Sequence, residues 1–244
     1  MELTESLNFS HKDRKDIYDY VESNGTVRED EVRRALNLDP SALGSHVTIL
    51  RRDGYIRKVG NKLQVAFTDE VEETHEADGL EYRIRAAGEE DRDGLIEVMR
   101  AVAEDGRYIE AETVAAMVDE EEVVLRHNEL NSRMMFVATV DGETVGWVHL
   151  DLPTAEKLSH TAVLTVGVHP DYRGKGIGST LLERGVRWAD EHSFEKLYNS
   201  VPSVNDSAIE FLESKGWETE AVREGHYRID GEYVDEVMMA CDLR

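Results

Sequence analysis

The chain has 244 residues, of which 40% are hydrophobic, enough for one large domain or two ordinary ones and too many for a disordered acidic chain. Its 52 acidic residues outnumber 28 basic ones, which gives a formal charge of −24, and the acidic residues are spread along the chain rather than confined to a tail. We expect a cytoplasmic protein of a high-salt cell, because salt screens the repulsion among so many carboxylates. An ordinary acidic cytosolic protein is the alternative.

The N-terminus and the cysteine content favour the same compartment. Residues 1–15 lack the apolar core of a signal peptide, and no apolar run approaches the ~20 residues of a membrane-spanning helix. The single cysteine, Cys241, excludes an intrachain disulfide and fits a reducing cytoplasm. We therefore expect neither secretion nor membrane insertion.

The charge divides the chain near residue 75. Residues 11–66 carry eleven basic and nine acidic side chains, whereas residues 69–81 are acidic and poor in apolar side chains. We predict a small domain over residues 1–68, an acidic linker over 69–81 and a larger domain over 82–244.

Apolar spacing predicts three helices in the first domain. A capping box at Thr26 and Glu29 should open the second helix. Asp39-Pro40 is typical of a helix start, so we expect the third helix to begin there and to end at Gly54. That helix should bury Leu43, Val47 and Leu50.

Two alternating segments, 55–59 and 63–67, flank a Gly60-Asn61 turn and predict a hairpin. Three helices followed by a two-stranded wing resemble a winged helix-turn-helix, with residues 41–65 similar to its recognition helix and wing. The resemblance implies that the third helix enters the major groove of double-stranded DNA and that the wing meets the backbone. The residues expected to contact DNA are Ser41, Ser45, His46, Thr48, Arg52, Arg57, Lys58 and Lys62.

A merely solvated basic face, on a module that builds a homodimer, is the alternative interpretation of the first domain. High salt favours this alternative, since phosphate contacts lose affinity as counterion release weakens. DNA and a second copy of the chain are therefore both candidate partners, and we expect no membrane partner.

The second domain mixes helices and strands without a regular repeat. We predict strands near residues 82–85, 134–140, 144–150, 160–168, 196–201, 217–229 and 232–243, and helices over 91–102, 111–126, 179–191 and 205–215. This mixture indicates the α+β class with a mostly antiparallel sheet. The segment 160–168 is apolar enough to be a central strand.

A basic, glycine-dense segment, RGKGIG at residues 173–178, directly follows that strand. Its glycines lead into a predicted helix with bare backbone amides, which is typical of an anion-binding nest. Arg173 and Lys175 add positive charge in a chain that would otherwise repel an anion. We expect a phosphate ester as ligand, although the spacing fits neither the Walker loop nor the Rossmann fingerprint.

Two motifs carry a resemblance to a known family. Arg173-x-x-Gly176-x-Gly178 resembles the R/Q-x-x-G-x-G/A signature of the GNAT superfamily of acyl-CoA-dependent N-acyltransferases. Downstream, the segment from Asn205 to the Gly216-Trp217 pair is similar to the family's second motif, so the resemblance spans residues 82–243. It implies the GNAT fold and an N-acetyltransferase that moves the acetyl group of acetyl-CoA to a primary amine: a small amine, an amino acid, a protein N-terminus or a lysine.

The same resemblance implies where acetyl-CoA binds. The pyrophosphate would lie on the amides of residues 173–178, the pantetheine arm along residues 166–168, and the Val168 amide would polarise the thioester carbonyl. Asn205 would contact the pantetheine or brace the bend, with a plain helix N-cap as the alternative. The residues expected to bind the co-substrate are Val166, Gly167, Val168, Arg173, Gly174, Lys175, Gly176, Ile177, Gly178, Ser179, Asn205 and Ser207.

The usual catalytic positions of the family hold no titratable group in this chain. Leu212 stands where relatives often carry a tyrosine, and Ser200 and Ala162 stand where relatives place a glutamate base. We therefore favour catalysis by orientation of the pantetheine and by the oxyanion contact, without a dedicated base.

Two side chains are candidate substitutes for the missing acid and base. Tyr227 would supply a phenol, with core packing as the alternative, and His160 would accept a proton, with a solvated strand end as the alternative. We expect no metal, because His149-x-Asp151 has no third ligand nearby.

Three functions compete on the sequence. The first is an acetyltransferase with an attached DNA- or partner-binding module, and the second is a transcriptional regulator whose GNAT domain senses acetyl-CoA without turnover. The third is an enzyme whose first domain only builds a dimer.

Overall fold

The structure, a computed structural model, describes residues 7, 9–66, 71–77, 79–104, 106–128, 132–153 and 155–244. The predicted strand end at residue 67 and residues 69, 70 and 78 of the predicted linker lie outside the described residues. Within the described ranges, none of the helices combines the length and the apolar composition needed to span a membrane.

The described residues of the N-terminal part form three helices and three short strands. These elements are α1 (Lys12–Asn24), β1 (Val27–Arg28), α2 (Glu29–Ala35), α3 (Pro40–Arg52), β2 (Ile56–Val59) and β3 (Lys62–Val65). The strands form an antiparallel sheet in the order β1-β3-β2. Helices and sheet enclose their own apolar core, which includes Ile17, Val32, Leu43, Val47, Leu50 and Leu63.

One of the two predicted helix starts in this part is confirmed and the other is wrong. Asp39 caps α3 by accepting hydrogen bonds from two backbone amides at 2.8 and 3.4 Å. The capping box at Thr26 and Glu29 does not form, because β1 intervenes and Arg28 becomes the N-cap of α2. The Thr26 hydroxyl instead accepts a hydrogen bond from Gln64 at 2.8 Å.

The larger part is built on a mixed sheet, to which the described residues contribute nine strands. They are β4 (Glu73–Ala77), β5 (Leu80–Ala86), β6 (Arg126–His127), β7 (Ser132–Val140), β8 (Glu143–Leu152), β9 (Thr161–Val168), β10 (Lys196–Pro202), β11 (Glu218–Ile229) and β12 (Glu232–Asp242). The order is β11-β12-β10-β9-β8-β7-β5-β4, and β6 pairs with β7. Among the described strands, β9 and β10 pair in parallel and the other neighbours are antiparallel, which confirms the predicted α+β class.

In the part of the chain that the structure describes, four α-helices accompany this sheet: α4 (Arg92–Ala103), α5 (Ile109–Glu121), α6 (Ile177–Glu191) and α7 (Asp206–Ser214). Helices α4 and α6 both pack on β8 and β9, and α5 packs on α4. Phe136, Trp147 and Trp188 are fully buried in the resulting core, as large aromatic side chains that supply much of its apolar area. The central strand β9 is therefore held from its neighbours and from two helices.

Strand β4 lies within the segment that the sequence suggested as a linker. It pairs with β5 from Glu73, opposite Ile84, to Ala77, opposite Leu80. The Glu73 carboxylate bonds Arg187 and lies 3.3 Å from Arg184, both on α6. The acidic segment predicted to be a solvated linker thus forms an edge strand over part of its length, because arginines distant in the sequence neutralise the Glu73 carboxylate.

Helix α1 is docked on the larger part by buried polar contacts. The Tyr18 hydroxyl donates to the His127 carbonyl at 3.0 Å, and the buried Glu22 carboxylate accepts from the His127 amide at 3.2 Å. Arg126 lies 3.3 Å from Glu22 and 3.0 Å from Glu121 at the end of α5. The two parts of the chain therefore share a buried charge network.

Candidate functional site

Strands β9 and β10 separate at their C-terminal ends. They pair over residues 161–163 and 196–198, and just beyond this the Asn199 side chain donates to the Leu164 carbonyl at 2.7 Å. A cavity of about 540 Å³ lies between the diverging ends, within the range of small-molecule sites. Parallel strands that stop pairing leave backbone groups free to bind a ligand.

The direction of the backbone groups on β9 can be followed from two hydrogen bonds. The His169 amide donates to Val145 on the β8 side at 2.8 Å, whereas the Leu164 carbonyl faces β10. Because successive residues of a strand point their backbone groups to opposite sides, the amides of Val166 and Val168 face the open side of the gap. Both residues line the cavity.

The glycine turn continues from this strand into α6. Gly174 and Gly176 have φ of +75° and +80°, in the left-handed region that favours glycine. No described side chain caps the N-terminus of α6, so its first amides are available to an anion. A Cβ at Gly178 would meet only ordinary contacts at 3.5 and 3.9 Å, so packing alone does not demand glycine there.

The two basic residues of the turn are braced differently. Arg173 donates to the Val168 carbonyl at 3.1 Å, and its guanidinium lies 5.0 Å from the Tyr108 ring centre. Lys175 donates to the Asp171 carbonyl at 3.3 Å and lies over Tyr172. Arg173 therefore lines the mouth of the cavity with its charge fixed, which suits a cation that meets phosphate.

Ten of the twelve residues expected to bind acetyl-CoA line this one cavity. The two that do not are Lys175 and Ile177. Ile177 is the first residue of α6 and buries its side chain in the core, so it offers only its backbone amide.

Gly167 has a reason in packing. A Cβ at this position would lie 2.2 Å from the Trp147 ring, which fully occupies the space beside β9. Glycine is therefore required at position 167 because the Trp147 ring on β8 leaves no room for a side chain, while the Gly167 backbone lines the cavity.

Asn205 joins two walls of the cavity. Its Oδ1 accepts from the Ala208 amide at 3.3 Å and so caps α7, while its Nδ2 donates to the Arg107 carbonyl at 3.1 Å. The helix-cap alternative is therefore present, and the same buried side chain also holds the segment that leads into α5. Tyr108, Ile109 and Glu110 of that segment line the cavity.

An acidic group lies beside the cavity. Burial and the nearby Glu236 carboxylate raise the pKa of Glu110, although His226 lowers it. Glu236, which is buried on β12 opposite Pro202, lies 2.9 Å from Arg223 and 3.5 Å from His226. A carboxylate with a raised pKa at a cavity is suited to exchange protons with a substrate.

Tyr227 belongs to the same group. Its hydroxyl is buried with no hydrogen-bond partner among the described residues, and burial together with Glu236 and Glu110 raises its pKa. Tyr227 does not line the cavity itself, but it interacts with Glu110, which does. The phenol therefore stays protonated at neutral pH and has a hydrogen to donate.

The other predicted catalytic positions fall in different places. His160 is exposed and directly precedes the first residue of β9. About 26 Å of extended strand separate it from Val168, which is too far for proton transfer at the gap. Ser200 and Leu212 line the cavity. Ala162 is buried in the part of β9 that pairs with β10.

The DNA-contact residues predicted on α3 divide into two sets. Ser41, Ser45, Thr48 and Arg52 are exposed. The expectation that His46 faces outward is wrong, because the start of α1 covers it: its side chain is 14% exposed and lies 3.5 Å from Asp13. Helical spacing alone could not reveal that neighbour.

The basic residues of the wing are mostly engaged within the protein. Lys58 bonds Glu29 at 2.7 Å, and Arg57 donates to Gln64 at 3.1 Å and lies 3.8 Å from Glu90 of the larger part. Lys62 is exposed. The wing therefore offers less free positive charge than the sequence suggests.

Sequence reasoning missed several residues of the site. Asn199, Tyr108, Glu110, His226 and Glu236 carry no local motif, and they meet only because α5, β10 and the hairpin of β11 and β12 converge. A polar residue in the apolar strand β10 could have indicated Asn199.

Comparison with known proteins identifies the family. Residues 104–217 match the sequence profile of the acetyltransferase (GNAT) family. An N-alpha-acetyltransferase of Saccharolobus solfataricus is 32% identical over 119 residues, which are 44% of this chain and 68% of that protein. An uncharacterized N-acetyltransferase of Methanocaldococcus jannaschii is 32% identical over 97 residues, 38% of this chain and less than half, 43%, of that protein.

A solved structure agrees with this assignment at the level of the fold. An acetyltransferase of Salmonella typhimurium, solved with its cofactor acetyl-CoA, superposes with a TM-score of 0.53 at 22% identity, over 66% of this chain and 93% of that one. The chain therefore belongs to the GNAT family of acetyltransferases, whose members use acetyl-CoA as co-substrate. The open strand edge, the uncapped helix and the glycine turn fit that co-substrate.

Proposed function

We propose that this protein transfers the acetyl group of acetyl-CoA to a primary amine, in the gap between β9 and β10. The observation that carries the proposal is the direction of the Val168 amide, which faces the open gap. From Val168 the backbone continues through the glycine turn to the uncapped N-terminus of α6. One end of this arrangement suits a thioester carbonyl and the other suits a pyrophosphate.

The cavity residues have distinct roles in this proposal. Amides from Gly174 to Ser179 and the Arg173 guanidinium would hold the pyrophosphate, and the backbone of β9 would pair with the pantetheine. The Val168 amide would donate to the thioester oxygen as negative charge develops there. Loss of one such donor costs roughly 100- to 1000-fold in turnover in comparable sites.

Glu110 is our candidate for the base that the usual family positions lack. It would take one proton from the acceptor ammonium, and the free amine would then form the C–N bond as the C–S bond breaks. The thiolate would leave with the second proton of the attacking nitrogen. Tyr227 lies outside the cavity and would influence the reaction only through its interaction with Glu110. The raised pKa of Glu110 and the buried phenol support these roles.

The acceptor is proposed as a cationic amine. Glu110 lines the cavity, and the buried Glu236 lies close enough to raise its pKa, so the negative charge at this wall favours an ammonium over an anion. Spermidine, amino acids and N-terminal peptides all present such a group. Only turnover with a panel of these amines will choose among them.

The first experiment measures release of the CoA thiol in molar KCl with that panel of amines. We expect steady release with one class, and Glu110→Gln should lower kcat about 100-fold or more while acetyl-CoA binding is retained. Glu112→Gln, an exposed neighbour on the same helix, is the control and should turn over like the original protein. Equal rates for the two variants would remove Glu110 from the mechanism.

A second candidate function is a regulator that senses acetyl-CoA without turnover. Ser200 and Leu212 favour it, because they line the cavity and offer no proton-transfer group where relatives have one. Tight binding of acetyl-CoA with no thiol release above hydrolysis, for every amine tested, would select this function over the enzyme.

We also propose that the N-terminal part is a winged helix-turn-helix that binds double-stranded DNA. The exposed face of α3 with Ser41, Thr48 and Arg52 supports this, whereas the ion pairs of Lys58 and Arg52 with their acidic neighbours weaken it. The alternative occupant is a second copy of the chain.

Fluorescence anisotropy with random and selected DNA duplexes tests this role. Arg52→Ala should weaken DNA binding and reduce its salt dependence by about one charge, and Lys12→Ala on α1 is the control. A protein that does not bind DNA but runs as a dimer in solution would assign the module to dimerisation.

A further inference from the structure

Three potential metal ligands meet where α1 begins and crosses α3. His11 is the N-cap of α1, Asp13 lies in its first turn, and His46 lies in the middle of α3. Asp13 Oδ2 is 3.5 Å from His46 Nε2 and 3.8 Å from His11 Nδ1, and the two imidazole rings are 4.7 Å apart between centres. One ligand atom from each of the three residues lies within 4.8 Å of the ligand atoms of the other two.

These spacings are close to those of a metal site. Atoms bound to Zn²⁺ at 2.0–2.2 Å in a tetrahedron lie about 3.4 Å from one another. Two imidazoles and one carboxylate are a donor set that divalent transition metals favour, and a fourth position would be left to water. Among the described residues this is the group of three such side chains that approach so closely.

The burial of His46 distinguishes this group from a chance surface pair. Its side chain is 14% exposed, and its Nδ1 is buried without a hydrogen-bond partner among the described residues. Its other nitrogen, Nε2, faces the Asp13 carboxylate, and a neutral imidazole binds a metal ion through one nitrogen while the other keeps the proton, so Nε2 is the nitrogen available to a metal ion. His46 does not line the cavity between β9 and β10.

We propose that His11, Asp13 and His46 bind a divalent transition-metal ion such as Zn²⁺. The ion would join the start of α1 to the middle of α3. His11 Nδ1 now accepts a hydrogen bond from the Asp13 amide at 3.1 Å, and the ion would take the place of that amide. One hydrogen bond would be lost, and three metal–ligand bonds would form. The site lies outside the acetyl-CoA cavity and does not rest on the proposed function.

The test is titration of the chelator-treated full chain with Co²⁺ and Zn²⁺ in KCl, with excess Mg²⁺ to fill sites made of carboxylates alone. We expect one equivalent of Co²⁺ to produce the visible absorption of a nitrogen-ligated tetrahedral ion, and Zn²⁺ to displace it. His46→Gln, His11→Gln and Asp13→Asn should each weaken binding at least about tenfold.

His75→Gln is the matched control. His75 lies 3.3 Å from Glu73, a histidine–carboxylate pair of similar spacing that has no third donor among the described residues, so its loss should leave metal binding unchanged. His11→Gln alters a half-exposed side chain and keeps the test valid if His46→Gln destabilises α3. Absence of saturable binding, or equal binding by the His11 and His75 variants, would overturn the proposal.

Discussion

At the scale of single residues, Gly176 combines a backbone demand with a ligand demand. It is the N-cap of α6 with φ of +80°, and open space surrounds the position where a Cβ would stand. Asparagine and aspartate both tolerate this backbone conformation and have the same shape, so Gly176→Asn and Gly176→Asp should fold with similar stability. They differ by one negative charge at the proposed phosphate site.

We therefore expect Gly176→Asp to bind acetyl-CoA at least about tenfold more weakly than Gly176→Asn, a difference of about 1.4 kcal/mol. Calorimetric titration of both variants measures it, and thermal melting checks that they are equally folded. Equal affinities would show that no anion is held at this turn.

His149 makes a residue-scale prediction about pH. It is buried on β8 with both ring nitrogens unpartnered among the described residues, and burial together with Arg133 lowers its pKa to about 3. The unfolded chain, with an ordinary histidine pKa near 6.5, then binds more protons than the folded one between these values. Folding stability must therefore fall as pH decreases from about 6.5 toward 3.

His149→Leu should remove this part of the pH dependence, which is worth about 1.4 kcal/mol for each pKa unit. Denaturant unfolding at pH 7 and pH 5 gives the two free energies for each variant. His160→Ala, which alters an exposed histidine, should keep the slope of the original protein. A slope that survives His149→Leu would mean that other groups cause it.

At the scale of elements, the gap between β9 and β10 depends on Asn199. Its amide satisfies the buried Leu164 carbonyl at the last position before the strands diverge. Asn199→Leu would leave that carbonyl without its partner, at a cost of about 1–3 kcal/mol, and would alter the shape of the gap. We expect weaker acetyl-CoA binding together with a lower melting temperature.

Tyr198→Phe is the control for this prediction, since neighbouring residues of a strand point to opposite faces. It should change neither property by a comparable amount. If Asn199→Leu melted earlier but bound acetyl-CoA with unchanged affinity, Asn199 would be a structural residue without influence on the site.

The elements also show what local sequence can and cannot predict. Strand β9, the glycine turn and α6 follow from apolar runs and glycine spacing, which act within about ten residues. Strand β4 was missed because Arg184 and Arg187 neutralise Glu73 across more than 100 positions. The approach of Glu110 to Glu236 escaped prediction for the same reason: each contact depends on the finished topology.

At the scale of the whole molecule, the charge of −24 predicts a stability that depends on salt. Most of the acidic side chains lie on the surface, where their repulsion opposes the compact state and is screened by ions. We expect the melting temperature to rise steadily from dilute buffer to molar KCl. A flat or falling curve would argue against adaptation to a high-salt cytoplasm.

The two parts of the chain should unfold together, because Glu22 joins them. This carboxylate on α1 is 2% exposed, accepts from the His127 amide and pairs with Arg126, which also contacts Glu121 of α5. Glu22→Ala would leave Arg126 and the His127 amide without that partner. Breaking a buried pair from one side typically costs about 3–5 kcal/mol.

Calorimetry in KCl measures this coupling. The original protein should melt in one transition, and Glu22→Ala should melt earlier, with the N-terminal part separating as a first transition because its own core of α1, α3 and β3 is intact. Asp19→Asn, a half-exposed acid on the same helix that pairs with Lys15, is the control and should melt as one unit. Helix α5 connects Glu121 at this network to Glu110 at the cavity, so acetyl-CoA should shift the first transition as well. If acetyl-CoA left the first transition unchanged, the two parts would be coupled in folding but independent in ligand binding.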